Sequence, residues 1–79
     1  MDYEKWTNKA KKIITSKISA NETFELKELF CGAEWNQLLP AEKRSFGRYF
    51  SNEIREGRIS GVVSVGENKA KHKVYKKIV

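Results

Sequence analysis

The fold is decided by residues 40–57, which read PAEKRSFGRYFSNEIREG. At about 100° per residue, the arginines of this stretch fall on one narrow helical face: Arg44, Arg48 and Arg55. Its large apolar residues fall on the far side: Phe46, Phe50 and Ile54. Pro40 suits the first position of a helix, and Gly57 suits a left-handed cap after the last one. The stretch therefore predicts one helix with a core face and a cationic face.

A β-hairpin is predicted to follow this helix. After Gly57 the apolar spacing changes from the helical period of about 3.6 residues to the strand period of about 2. The first strand lies within residues 59–65, Gly66-Glu67-Asn68 supplies turn chemistry, and residues 71–78 return. Apolar residues of the returning strand do not alternate cleanly. The pattern therefore leaves open whether Tyr75 points to the core or to a ligand.

The N-terminal part of the chain predicts a helix, a short strand and a second helix. Apolar residues recur at helical spacing within residues 2–18, and Asp2 is placed to cap that helix. Residues 23–25 alternate in the manner of a strand. Residues 26–30 then have the apolar spacing of a short helix, which Gly32 is placed to end.

Together these elements predict an α+β fold in one domain, residues 1–79. The order helix, strand, helix, helix, strand, strand is that of a winged helix-turn-helix, with three helices and a small antiparallel three-stranded sheet. An isolated hairpin is marginal in water, so the third strand is physically needed. Gly47 costs the long helix about 1 kcal/mol relative to alanine. Such a residue predicts the close approach of a large ring, Trp35 or Tyr3.

Composition favours a polyanionic partner and argues against several other classes. The 79 residues carry a net charge of +6, which indicates nucleic acid or an anionic surface. Cys31, expected to be buried, and His72 are alone in their types, so we expect no disulfide, no metal site, no cofactor and no enzymatic role. No apolar run approaches the roughly 20 residues that span a bilayer. The expected location is the cytoplasm, away from the membrane.

The candidate nucleic-acid-binding residues come from the helix and the hairpin. They are Arg44, Arg48, Arg55, Lys69, Lys71, Lys73, Tyr75 and Lys76. Unpaired bases also need rings to stack on, and the candidates for that role are Tyr49, His72 and Tyr75. A separate acidic segment is a candidate docking face for a replication protein: Glu22, Glu25 and Glu28, with Glu34 beyond them.

Three functions remain open on the residues alone. Cations interleaved with rings favour a sequence-tolerant single-stranded DNA-binding protein. A duplex-binding transcriptional regulator is less favoured, because Glu42 at the start of the helix would face phosphates and Asn52 comes late for base reading. The third is an accessory subunit that docks a helicase or polymerase through the acidic face.

The chain also resembles a known family over roughly residues 23–78. The resemblance rests on FELKELF at residues 24–30 and on residues further along: Gly32, Glu34, Trp35, Asn36, Arg44, Gly47, Arg48, Phe50, Gly57, Ile59 and Tyr75. In these positions it is similar to the winged-helix single-stranded DNA-binding proteins of staphylococcal cassette chromosome elements, within a small domain family of Gram-positive phages and mobile elements. The resemblance implies a role in replication of a mobile genetic element and a preference for single strands.

Overall fold

The computed structural model describes residues Met1–Val79 and has the predicted α+β architecture. Its elements are helix α1 (Tyr3–Lys17), strand β1 (Thr23–Glu25), a 3₁₀ turn (Leu26–Leu29), helix α2 (Gly32–Asn36), helix α3 (Pro40–Arg55), strand β2 (Val62–Glu67) and strand β3 (Lys73–Lys77). The winged helix-turn-helix order of three helices and three antiparallel strands is thereby confirmed. None of the helices combines the length and the apolar character needed to cross a bilayer.

Strand β3 is the centre of the sheet. The strand order is β1-β3-β2, and β3 is antiparallel to both neighbours. Tyr75 on β3 lies opposite Phe24 of β1 and Ser64 of β2. The last and longest helix, α3, packs against this sheet and against α1.

The core forms where α1, α3 and the sheet meet, and its largest fully buried side chains are Phe46, Phe50 and Tyr75. The Phe50 and Tyr75 rings pack edge to face, with centroids 5.2 Å apart. Tyr75 is only 1% exposed, and this burial raises the pKa of its phenol. The Tyr75 ring therefore points into the core, which settles the orientation that the sequence leaves open, while its contact with nucleic acid stays a prediction.

The hairpin turn lies further along the chain than predicted. Gly66 is inside β2, at a β-bulge where its φ of 112° suits glycine. Asn68 begins the actual connection, and its Oδ1 accepts hydrogen bonds from the backbone N–H groups of Ala70 and His72 at 3.0 and 3.1 Å. An asparagine that bonds its own following backbone in this way forms a local turn.

The predicted second helix, residues 26–30, is only a 3₁₀ turn, and a second piece, the short helix α2, follows it without having been predicted. Glu28 Oε1 accepts a hydrogen bond from the Glu25 N–H at 2.8 Å, which closes the start of the 3₁₀ turn. Gly32 then begins α2 instead of ending a helix. Cys31 is exposed, contrary to prediction, because it stands between the two pieces, with its thiol 3.4 Å from Glu34 Oε1.

Lys77 closes the C-terminal end of α1. Its ammonium donates to three carbonyl oxygens, those of Ile14 at 3.1 Å, Thr15 at 3.4 Å and Ile18 at 2.7 Å. The last carbonyls of a helix have no partners within the helix and carry its negative dipole end, so a cation is favourable there. The backbone of Lys77 also pairs with Asn21 and Glu22. One residue thus joins α1, its following turn and the central strand.

Lys77 and its neighbour Lys76 form a matched pair for measuring how much the hydrogen bonds of the Lys77 ammonium stabilise the fold. Lys77→Met should lower the free energy of unfolding by about 2 kcal/mol, since hydrogen bonds to charged groups are lost and carbonyls lose their partner. Lys76→Met removes a side chain one residue earlier that makes none of these hydrogen bonds, and it should change the free energy of unfolding by less than about 0.5 kcal/mol. Urea unfolding followed by circular dichroism gives both values. Equal effects of the two variants would show that the hydrogen bonds of the Lys77 ammonium do not stabilise the fold.

Candidate nucleic-acid interface

A concave surface of about 470 Å³ lies between α3 and the start of β3. We call it the basic groove. Helix α3 supplies Lys43, Arg44, Gly47 and Arg48. The hairpin supplies Lys71, His72, Lys73 and the buried edge of Tyr75. The remaining lining residues precede α3 and are Glu25, Leu26, Lys27 and Trp35.

The groove is strongly cationic. Six basic side chains line it against one carboxylate, that of Glu25. Glu25 Oε1 is hydrogen-bonded to His72 Nδ1 at 2.8 Å, so this acid is already engaged within the chain. None of the six basic groups forms an ion pair. The cations in the chain's salt bridges are Lys9, Arg55, Arg58 and His72. An uncompensated set of charges in a concave surface attracts anions.

Local contacts hold the walls of the groove in place. Lys73 Nζ donates to Ser51 Oγ at 3.1 Å and thereby joins the hairpin to α3. At the start of α3, Glu42 Oε1 accepts from the Leu39 N–H at 2.9 Å. Glu42 therefore caps the helix and does not line the groove. The acidic residue that was expected to face phosphates lies outside the cationic surface.

The structure brings five of the eight predicted binding residues together in the groove: Arg44, Arg48, Lys71, Lys73 and the edge of Tyr75. Arg55 lies elsewhere, with its Nη2 2.8 Å from Asn52 Oδ1 and its Nε 3.8 Å from Glu56 Oε1. Lys69 is on the exposed connection after β2, and Lys76 does not line the groove. Among the predicted stacking rings, Tyr49 packs on Tyr3 with centroids 5.1 Å apart.

The basic and aromatic lining residues that were not predicted are Lys27, Trp35 and Lys43. Lys27 lies in the acidic segment, and Trp35 lies in the connection before Pro40. In the structure Trp35 is partly exposed, and Lys43 Nζ lies 5.9 Å from the centroid of its ring. Lys43 could have been found from its place beside Arg44. The position of Trp35 depends on tertiary packing, and no local pattern reveals it.

Gly47 does not have the role predicted for it. Apart from its chain neighbours and the backbone of its own helix, no atom would lie within 4 Å of a Cβ built at this position, so no ring approaches the backbone there. Gly47 instead lines the groove between Lys43 and Arg48 of the same helix. The missing side chain leaves open space along the lining of the groove.

The predicted acidic face is largely engaged in local hydrogen bonds. Glu22 Oε1 accepts from the Ser19 N–H at 2.8 Å, and Glu28 caps the 3₁₀ turn. Glu34 pairs with Lys9, whose ammonium lowers the pKa of that carboxyl. These contacts give the carboxylates structural roles, and their use as a docking face stays a prediction.

The model of a family described as a domain of unknown function (DUF1413) matches residues 8–77. The chain therefore belongs to this family. The match spans both walls of the basic groove. No curated protein and no solved structure matches the chain.

The open space at Gly47 leads to a stability prediction. Gly47→Ala should raise the free energy of unfolding by about 1 kcal/mol, because alanine is the better helix former and its methyl group meets no neighbour. Gly57→Ala is the contrasting variant, since Gly57 has a φ of 75° and alanine there is strained. The midpoint temperature of thermal unfolding should rise in Gly47→Ala and fall in Gly57→Ala. A loss of stability in Gly47→Ala would show that the site is crowded.

Proposed function

We propose that this DUF1413 domain binds single-stranded DNA in the basic groove with little preference for sequence. The observation that carries the proposal is the convergence of six unpaired basic side chains with a partly exposed indole in one concave surface. Proteins that bind single strands combine a cationic groove for the backbone with rings for the bases. A surface of this composition suits a nucleic acid better than an isolated small anion.

The spacing of the α3 arginines fits a phosphate backbone. Arg44 and Arg48 are one helical turn apart, which is a rise of about 6 Å along the axis. That distance is comparable with the separation of neighbouring phosphates in an extended strand. Guanidinium groups are well suited to phosphate oxygens because their donors form a planar fork. Backbone contacts of this kind give affinity without reading sequence.

The shape of the site favours a single strand over a duplex. A reader of duplex DNA places the start of its recognition helix in the major groove, with side chains directed at base edges. Here that part of α3 forms one wall of a concavity, and Lys71 and Lys73 of the hairpin form the other. An unpaired strand could lie between these two walls, with its phosphates against the cations of both. Asn52 lies outside the groove and bonds Arg55.

The cellular setting of the proposal comes from the family resemblance. A single-strand binder of this kind would serve replication of a mobile genetic element in the bacterial cytoplasm. Docking to a helicase or polymerase through the acidic face is compatible with this role. The DNA-binding proposal has the stronger support, because the groove cations are unpaired while the acidic side chains are engaged.

The proposal predicts that Arg44 and Arg48 carry phosphate contacts. The double change Arg44→Ala and Arg48→Ala should weaken binding of a fluorescein-labelled single strand by about tenfold or more, equivalent to at least about 1.4 kcal/mol. The slope of log K against log salt should become shallower by about 1.4, since each lost contact with a single strand removes about 0.7. Fluorescence anisotropy at several salt concentrations measures both.

Arg55→Ala is the matched control for this experiment, because Arg55 shares the helix and the charge but lies outside the groove. It should leave affinity and salt slope nearly unchanged. The same oligonucleotide annealed to its complement should bind more weakly than the single strand. Tighter binding of duplex would support the regulator instead. The absence of binding at low salt would leave protein docking as the remaining function.

A further inference from the structure

We propose that Trp35 is the base-stacking platform of the basic groove. One unpaired nucleobase would lie against its indole while neighbouring phosphates contact Arg44 and Arg48. This inference rests on the proposed single-strand binding and names the contact by which the protein would distinguish a single strand from a duplex. In a duplex the bases are paired and stacked on each other, so their faces are not accessible to a side chain.

Core packing holds the indole in position. The Phe30 ring lies nearly parallel to Trp35, with centroids 5.9 Å apart and planes 14° from parallel. Phe30 is itself 5% exposed and packs against Trp6 and Phe46. Trp35 is therefore supported by the buried aromatic cluster and still reaches the groove. A ring that is ordered before binding loses little conformational freedom when a base stacks on it.

The surroundings of the indole leave space for a planar ligand. Gly47 lines the same groove, and no atom lies within 4 Å of where its Cβ would be. Leu26 adds an apolar lining residue. The groove therefore combines an aromatic ring and an aliphatic side chain with cations. A nucleotide has the corresponding combination of a flat apolar base and an anionic phosphate.

The ammonium of Lys43 already lies close to the Trp35 ring, so this ring is accessible to a ligand from the groove. Its Nζ lies 5.9 Å from the indole centroid, within the range of a cation–π contact. An exposed contact of this kind is weaker than base–aromatic stacking. When a base stacks on the indole, the flexible Lys43 side chain can therefore move off the ring, and its ammonium can contact the phosphate of that nucleotide. The same residue would serve the site with and without DNA.

The other rings near the groove are not available for this role. Tyr75 is buried, and the His72 ring is hydrogen-bonded to Glu25. Tyr49 packs on Tyr3, and neither of them lines the groove. Trp35 is partly exposed and lines the groove, so it is the ring on which a base could stack. Because an indole stacks on any base, the contact accounts for binding with little sequence preference.

The chain has two tryptophans, which allows Trp35 to be observed directly. In Trp6→Phe the emission comes from Trp35 alone, and an unlabelled short oligothymidylate should quench it to saturation. The quenching midpoint should agree with the affinity from anisotropy. In the matched variant Trp35→Phe, the remaining Trp6 lies against Phe30 and Phe46, and its emission should change little. Unaltered Trp35 emission while the oligonucleotide is bound would overturn the inference.

Affinity measurements supply the second test. Trp35→Ala should weaken binding roughly 5- to 150-fold, the range found for loss of one stacked base, while Trp35→Phe should lose much less. Gly47→Leu should also weaken binding, because the new side chain fills the space beside the platform, whereas Gly47→Ala should not. Circular dichroism checks that each variant is folded at the assay temperature.

The two proposals fail in different ways. If wild-type protein binds the oligonucleotide but folded Trp35→Ala and Gly47→Leu bind it equally well, the stacking inference is overturned and the groove proposal stands. If wild-type protein binds no single strand at low salt, the proposed function is overturned, and the stacking inference with it.

Discussion

The packing of Tyr75 against Phe50 is the interaction on which the rest of the structure depends. Tyr75 comes from the central strand and Phe50 from the long helix, and their rings meet edge to face inside the core. This contact fixes how α3 lies across the sheet. Four of the six groove cations stand on the same two elements, Lys43, Arg44 and Arg48 on α3 and Lys73 on β3, so their separation follows from the same packing. In a chain of 79 residues, which buries only a modest share of its surface, one aromatic contact of this kind has a large influence.

The features predictable from the sequence were those with a local cause. Helix α3 was predicted because its apolar period is regular, Pro40 begins it and Gly57 follows its end. The position of the hairpin turn was not, because Gly66 has the composition of a turn residue but is used as a bulge inside β2. Asn68 makes the turn through side-chain hydrogen bonds that a residue pattern does not reveal.

Which residues line the basic groove could be predicted only in part, for a similar reason. Arg44 and Arg48 follow from helical periodicity, but Arg55 on the same stripe lies beyond the concave part of the surface. Tyr75 was ambiguous because the apolar residues of its strand, Val74, Tyr75 and Ile78, do not alternate cleanly. Trp35 enters the groove through its packing on Phe30, which joins residues of different elements. Periodicity gives the face of an element, whereas a binding surface depends on how faces of several elements meet.

The position of β3 at the centre of the sheet also has a consequence for folding kinetics. Thr23 of β1 pairs with Lys76, near the other end of the chain, and the Lys77 ammonium reaches back to carbonyls of α1. These contacts close long loops, and chains whose native contacts are distant in sequence fold more slowly than helical bundles of similar size. The helices can form early from local contacts. The two walls of the groove, however, come together only when the central strand docks on α3, so we expect the charged surface to be complete only after these long loops have closed.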